Sequence, residues 1–176
     1  MTGNDEIGEI VEQWSRERPD LDTSGLEIVG RILVLAKYLK RRVEQVLRPL
    51  DLSLWGFDVL ATLRRQGEPF RLTPTDLSRA TMLTSGAMTN RLDRLETAGL
   101  VRRERALEDR RGVHVVLTPE GRELVDRAIA LRLEEAGRAI AGLTPRERTV
   151  ATELLKKLLM KMESEKDGAH ALLDED

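Results

Sequence analysis

Apolar residues recur three or four positions apart along most of the chain, which predicts a mainly helical protein. The predicted helices cover about residues 4–18, 26–47, 54–65, 74–80, 84–97, 119–141 and 145–162. Only residues 101–105 and 113–117 change to short β-prone runs. The polar residues 106–112 between these runs predict a β-hairpin with a charged tip.

The order of these elements predicts how the chain is divided. Residues 51–118 read helix, short helix, turn, helix, hairpin, which is the arrangement of a winged helix-turn-helix DNA-binding domain. The long helices within 25–50 and 119–165 carry more apolar surface than such a domain can cover, so we expect them to form a homodimer interface. A helical layer in a monomer is the alternative. Residues 1–24 form an extra N-terminal helix and linker, and 166–176 an acidic tail.

Composition excludes several function classes. The 176 residues contain no Cys and only two His, which excludes thiol chemistry and Cys-ligated zinc and disfavours a His-rich metal site. No Ser/His/Asp set, phosphate-binding loop or nucleotide fingerprint occurs, so we expect no enzyme activity, catalytic residue, metal or cofactor. The N-terminus has no signal-peptide pattern and no apolar run is long enough to span a bilayer. A cytoplasmic protein without a membrane partner is therefore expected.

The net charge of −2 hides an uneven distribution. It argues against a nucleic-acid partner when taken alone. However, residues 1–27 carry −6, residues 28–162 carry +9 and residues 163–176 carry −5. Such asymmetry favours a polyanion partner for the middle of the chain, although a solvated helical surface between acidic ends has the same pattern.

The helix over residues 84–97 has two chemically different faces. Met88, Leu92 and Leu95 share an apolar face that we expect to pack inward. The opposite face carries Asn90 and Arg94, with Thr89 at its edge, and Asn and Arg suit the hydrogen-bonding edges of adenine and guanine in the major groove. An ordinary amphipathic helix is the alternative.

The hairpin tip carries the second candidate DNA contact. Arg110 and Arg111 suit a wing that reaches phosphates or the minor groove, and Asp109 could orient Arg111 by a charge-assisted hydrogen bond. A polar turn is the simpler interpretation of the same residues. A winged helix used only for protein contacts also remains open.

These segments together resemble the MarR family of transcriptional regulators. The resemblance covers Ala87–Asn90, Leu95–Val101, Asp109–Arg111 and Thr118–Gly121, with spacing that needs no gap. It implies a homodimeric winged-helix regulator of double-stranded DNA, usually a repressor released by a small ligand. Two-fold symmetry then implies a pseudo-palindromic operator. By resemblance, the major-groove residues are Ser85, Thr89, Asn90 and Arg94, and the wing residues are Arg110 and Arg111.

Four further residues stand out from the surrounding pattern: Trp14, Asp58, Arg91 and Arg103. One interpretation is a core tryptophan beside a structural ion pair between Asp58 and Arg91. The other is a ligand pocket, in which Trp14 covers a planar ligand and Arg91 and Arg103 hold its negative charge. Asp58 would then link the pocket to the recognition helix.

The spacing of Asp58, Arg91 and Arg103 resembles the urate-responsive branch of the MarR family, the HucR and PecS type. The resemblance implies a small anionic ligand, urate or a related purine, bound by Trp14, Asp58, Arg91 and Arg103. As a hypothesis, the charge of the ligand repels Asp58 and displaces the helix that carries Asn90 and Arg94. Trans-aconitate, citrate or a phenolic acid remain alternative ligands.

Overall fold

A computed structural model of the protein describes residues 4–81, 85–105 and 112–171, with the backbone alone for 85–87 and 166–171. The described residues form seven α-helices, a 3-10 turn and three β-strands. They run α1 (Glu6–Glu17), α2 (Ser24–Leu47), the turn (Arg48–Leu50), α3 (Leu54–Arg65), β1 (Arg71–Leu72), α4 (Pro74–Thr81), α5 (Ser85–Thr97), β2 (Val101–Arg105), β3 (Val113–Leu117), α6 (Pro119–Ala139) and α7 (Pro145–Ala171).

Side-chain caps lie at the start of several helices, at the positions where the sequence predicts these helices to begin. The Ser53 hydroxyl accepts from the backbone N–H of Gly56 at the start of α3. Thr73 accepts from the N–H of Asp76 at 3.1 Å at the start of α4. A reciprocal cap lies at the start of α7. The Thr144 N–H donates to the Glu147 carboxylate at 2.7 Å, and the Glu147 N–H donates to the Thr144 hydroxyl. Such caps satisfy backbone donors that have no partner inside the helix.

The N-terminal helix α1 is attached to α2 by apolar packing and by an ion pair. Ile7 is buried against Gly30, where a side chain on the glycine would come within about 3 Å of it. Asp5 caps α1 through the Gly8 N–H and also accepts two hydrogen bonds from Arg31 of α2, at 2.8 and 2.9 Å. The added helix predicted from the sequence is thus fixed to the long helix.

The hydrophobic core lies among α3, α4, α5 and the sheet, with the end of α2 and the first half of α6 packed around it. Its side chains come from distant parts of the chain, so that burial holds the elements of the winged domain together. The largest fully buried side chains are Leu47, Leu60, Leu63, Leu77, Met88, Leu92, Val59, Val101, Val115 and Val125.

The wing contains three strands in the order β1-β3-β2, all antiparallel. The hairpin of β2 and β3 has the predicted bounds, and its register pairs Val101 with Leu117 and Arg103 with Val115. The sequence did not predict β1. With two residues it is too short for an alternating pattern, and its conformation depends on pairing with Val115 and Val116 of β3.

The helix α7 is longer than predicted. The expected end was about Met162, with a frayed acidic segment after it, but the helix continues to Ala171. Residues 163–167 contain neither proline nor glycine, and Lys161 lies 3.7 Å from Glu165 one turn later. Charged residues with good helix propensity and such pairs extend a helix without any buried face.

The chain divides into two compact units, residues 1–135 and residues 136–176. Each unit exposes apolar side chains along a long helix. In α2 these are Ile28, Val29, Leu33, Leu35, Tyr38 and Leu39, and in α7 they are Val150, Leu154, Leu155, Leu158, Leu159, Met160 and Met162. Across the described ranges, no helix has the length and hydropathy needed to cross a membrane.

Two glycines of α6 provide a matched test of how closely this helix packs against the backbone of Leu100. A Cβ atom on Gly121 would lie 2.0 Å from the carbonyl oxygen of Leu100, whereas a Cβ on Gly137 would meet nothing within 4 Å. We expect Gly121→Ala to lower the free energy of unfolding by about 2–3 kcal/mol, because the backbone of Leu100 must move.

Gly137→Ala is the control, and we expect it to raise the free energy of unfolding by about 0.5–1 kcal/mol through helix propensity. Urea denaturation followed by circular dichroism measures both values. Equal stability of the two variants would contradict the close approach of α6 to Leu100.

Candidate nucleic-acid interface and ligand cleft

The helix α5 has the two faces that the sequence predicts. Met88, Leu92 and Leu95 are 1–4% exposed and belong to the core. Thr89, Asn90 and Arg94 are exposed on the other side of the helix. For Ser85 the structure describes the backbone in the first turn of α5 and not the side chain. The exposed amide and guanidinium groups are those suited to base edges.

The wing-tip residues Asp109, Arg110 and Arg111 lie outside the described residues. The flanking strands nevertheless bring the two ends of this segment together. Arg105 pairs with Val113 at the last described position of the hairpin. The contacts predicted for Arg110 and Arg111 with phosphates or the minor groove therefore stay a prediction.

A cleft of about 820 Å³ opens beside α5. Its walls come from α2, the 3-10 turn and the loop after it, α3, α5 and the loop after α5. Two predicted ligand residues, Asp58 and Arg91, line it, and so does the predicted DNA-contacting residue Arg94. Its volume lies in the range of small-molecule sites. The cleft thus places a possible ligand directly against the helix that exposes Asn90.

Asp58 is the electrostatically perturbed group of this cleft. Removal of water by the surrounding protein raises the pKa of Asp58, against the attraction of Arg132, Arg91 and Arg65, which lowers it. Within the described part of the chain, Asp58 forms no direct ion pair. The structural Asp58–Arg91 pair considered from the sequence is therefore absent there, and the cations act on Asp58 through space.

Arg91 contacts an aromatic ring instead. Its guanidinium carbon lies 5.6 Å from the ring centre of Trp55, one turn before Asp58 on α3. A cation over an indole face is an attractive contact. Trp55 and Arg91 thus give the cleft an aromatic wall next to a positive charge.

Trp14 and Arg103 do not line this cleft. Trp14, which one interpretation of the sequence placed in the core, is 51% exposed, whereas Ile7 and Val11 are the buried large apolar residues of α1. Arg103 points to α5, a helix of the same domain, where its guanidinium binds Asp93 and Glu96. Of the four predicted ligand residues, Asp58 and Arg91 therefore share this cleft, and Trp14 and Arg103 lie outside it.

Several cleft residues are not among those predicted from the sequence, although their regular spacing could have identified them. Trp55 precedes Asp58 by three positions on the same helix, which puts both on one side of α3. Lys40, Glu44 and Arg48 follow each other at intervals of four from α2 into the 3-10 turn, and all three line the cleft. No group of three or more His, Asp or Glu side chains in the described ranges could hold a metal ion.

Comparison with known proteins connects this geometry to a family. A sequence model described as the MarR family matches residues 50–112. The chain is 36% identical to the HTH-type transcriptional regulator PecS of Dickeya dadantii (strain 3937) over 153 residues, which cover 87% of this chain and 92% of that protein.

Solved structures are similar as well. A mutant of Escherichia coli MarR complexed with operator DNA superposes with a TM-score of 0.69 at 29% identity, over 78% of this chain and 96% of that one. A structure of Bordetella bronchiseptica BpsR, whose DNA binding is regulated by 6-hydroxynicotinic acid, superposes with a TM-score of 0.66 at 27% identity, over 74% and 91%.

The raised pKa of Asp58 has a measurable consequence for stability. A carboxyl whose pKa is higher in the folded state costs stability once it ionises, and the cost disappears as the pH falls below that pKa. We expect Asp58→Asn to unfold at a higher temperature than the parent at pH 7. Since the cleft is open to solvent, the gain is under about 1 kcal/mol, or about 2–4 °C. It should shrink as the pH approaches 4.

Asp5→Asn is the comparison with the opposite sign. The Gly8 N–H and Arg31 hold the pKa of Asp5 below its usual range, so ionised Asp5 stabilises the fold above that pKa. Asp5→Asn should therefore melt below the parent at pH 7, with a difference that fades only as the pH falls below 4. Thermal melts from pH 7 to pH 3 measure both trends. A pH-independent difference for Asp58→Asn would contradict the desolvation of its carboxyl.

Proposed function

The chain belongs to the MarR family of DNA-binding transcriptional regulators, and we propose that it binds a pseudo-palindromic operator as a homodimer and is released from it by a planar anion, with urate as the first ligand to test. In most such cases the regulator is a repressor, and we propose that sign here. The observation that carries the proposal is the exposed face of α5, which presents Thr89, Asn90 and Arg94 while the opposite face is buried in the core.

The chemistry of this face supports the reading of base edges. An asparagine amide can pair with adenine and an arginine guanidinium with guanine, each through two hydrogen bonds. Thr89 and Ser85 would add contacts at the start of α5. We assign Arg110 and Arg111 to the phosphates or the minor groove beside it, with Asp109 supporting the wing.

The exposed apolar stripes of α2 and α7 support the homodimer. Monomers of this size rarely expose so many large apolar side chains on two helices, and such stripes usually form an interface. Two recognition helices related by a two-fold axis would then meet half-sites about one helical turn apart, which accounts for the pseudo-palindrome.

The cleft supports an anionic, planar ligand. Its lining combines four cations with three carboxylates, a net charge of +1, and Trp55 gives it one flat wall. The cations are Lys40, Arg48, Arg91 and Arg94, and the acids are Glu44, Asp51 and Asp58. An anion there would repel Asp58 and attract Arg91, which α5 carries. The regulation of the similar protein BpsR by 6-hydroxynicotinic acid, also a planar acid, supports this ligand class. Trp14 and Arg103 remain ligand residues by resemblance only.

Replacement of Asn90 tests the DNA-binding face. An operator is first selected from random duplexes, and its affinity is then measured by fluorescence anisotropy at several salt concentrations. Asn90→Ala should weaken binding by about 1–3 kcal/mol, because one bidentate base contact is lost. The stoichiometry of the complex should be two chains per operator.

Gln13→Ala is the control, since Gln13 is an exposed polar residue of α1 away from α5. It should bind within about twofold of the parent. Parent-like affinity of Asn90→Ala would contradict the assigned face. Absence of a steep salt dependence would favour a winged helix used only for protein contacts.

A thermal-shift series identifies the ligand class. The series contains urate, xanthine, salicylate, citrate and trans-aconitate. A ligand at a hundredfold excess over its Kd stabilises the folded protein by about 2.7 kcal/mol. We expect this effect with urate, together with release of the operator. A thermal shift with citrate or trans-aconitate alone would assign that anion as the ligand in place of urate. Absence of a shift with both purines would exclude the urate proposal.

The link from cleft to recognition helix is tested with Asp58→Asn. A ligand releases DNA only through the difference in its affinity for the two conformations. Without the charge of Asp58, that difference should fall, so urate should release the operator less well while basal DNA affinity stays near that of the parent. Asp126→Asn, a carboxyl variant outside the cleft, is the control. Equal loss of DNA affinity and urate response would exclude the coupling.

A further inference from the structure

Arg103 joins the wing to the recognition helix through three contacts. Its Nη2 atom lies 2.6 Å from Oδ1 of Asp93, and its Nη1 atom binds the carboxylate of Glu96. Its backbone N–H donates to the other oxygen of Glu96 at 2.9 Å. Asp93 and Glu96 lie one turn apart on α5, so one residue of β2 holds two points of the helix.

Asp93 and Glu96 occupy an unfavourable position for DNA binding. Asp93 lies on α5 between Asn90 and the last turn, and more than half of its side chain is exposed. A carboxylate on a helix that enters a groove faces a dense row of phosphates and is repelled by them over about 8 Å at physiological salt. Arg103 lies against both acids and lowers their summed charge from −2 to −1.

The charge of Arg103 does not depend on pH in any accessible range. Burial lowers the pKa of Arg103, but the hydrogen bonds to Asp93 and Glu96 outweigh this and leave the pKa above its usual value. The side chain is also only 30% exposed. Its neighbour Arg102 faces the other side of the sheet, where it pairs with Glu104 and lines a separate cleft beside Phe70.

We infer that Arg103 is a positioning residue for DNA binding, which sets the angle between α5 and the wing strand β2 and offsets part of the negative charge of Asp93 and Glu96 next to the phosphates. The cleft that contains Asp58 does not include Arg103. The positioning role concerns the DNA side of the domain and applies to the protein without ligand.

The test compares the operator affinities of Arg103 and Arg102 variants. Arg103→Ala should weaken operator binding about tenfold or more, which corresponds to the loss of charge-assisted hydrogen bonds. Arg103→Lys, which keeps the charge without the fork, should lie between Arg103→Ala and the parent. Arg102→Ala should bind within about twofold of the parent. All affinities are measured without ligand, so a ligand role of Arg103 does not enter this comparison.

A double-mutant cycle separates positioning from direct contact with DNA. In a background with Asp93→Asn and Glu96→Gln, Arg103 has no carboxylate to hold, so its removal should cost less than about threefold in affinity. The same tenfold loss in that background would overturn the inference, because Arg103 would then contact the phosphates itself. Circular dichroism checks that each variant is folded. If Arg103→Ala does not fold, the comparison is made with Arg103→Lys and Arg103→Gln.

Parent-like DNA affinity of folded Arg103→Ala would also overturn the inference. If that variant lost the ligand-induced thermal shift as well, the residue would be assigned to the ligand alone, as the resemblance to the urate-responsive branch implies. Failure of every ligand in the series would leave the DNA measurements, and so the inference, unaffected.

Discussion

Burial of one face of α5 is the interaction on which the rest of the molecule depends. Met88, Leu92 and Leu95 anchor the helix in a core that also contains residues of α3, α4 and the sheet. Because this face is fixed, the opposite face must expose Asn90, and the next residues of the chain must form the wing strand beside it. The direction of the recognition helix is therefore decided by apolar packing, while its chemistry is decided by the residues left outside.

Charge refines what packing establishes. The chain as a whole is slightly acidic, and a general attraction to DNA is not to be expected from a net charge of −2. Individual acids and bases instead form specific ion pairs. Arg103 pairs with Asp93 and Glu96, and Arg64 pairs with Asp126. Such pairing removes repulsion locally and leaves Arg94 exposed on the recognition helix.

The cleft proposed for the ligand shares residues with the helix proposed to enter the DNA groove. Arg91 and Arg94 lie one turn apart on α5, and both line the cavity that contains Asp58 and Trp55. A small molecule there would touch the recognition helix without an intervening element. The distance over which a signal must travel is then no longer than one helix diameter, which favours a direct displacement of α5 over transmission through the core.

The sequence by itself determined the order and nearly all the bounds of the helices, the hairpin of β2 and β3, and the two faces of α5, because each follows from local periodicity and capping. Only the tertiary structure decided which distant side chains meet. The register of β2 directs Arg103 toward Asp93 and Glu96. Ile7 and Val11 are buried while Trp14 stays exposed, so that Trp55, and not Trp14, forms the aromatic wall of the cleft. Spacing along a chain specifies a face of one element, but contacts between elements depend on the packing angles that the whole core selects.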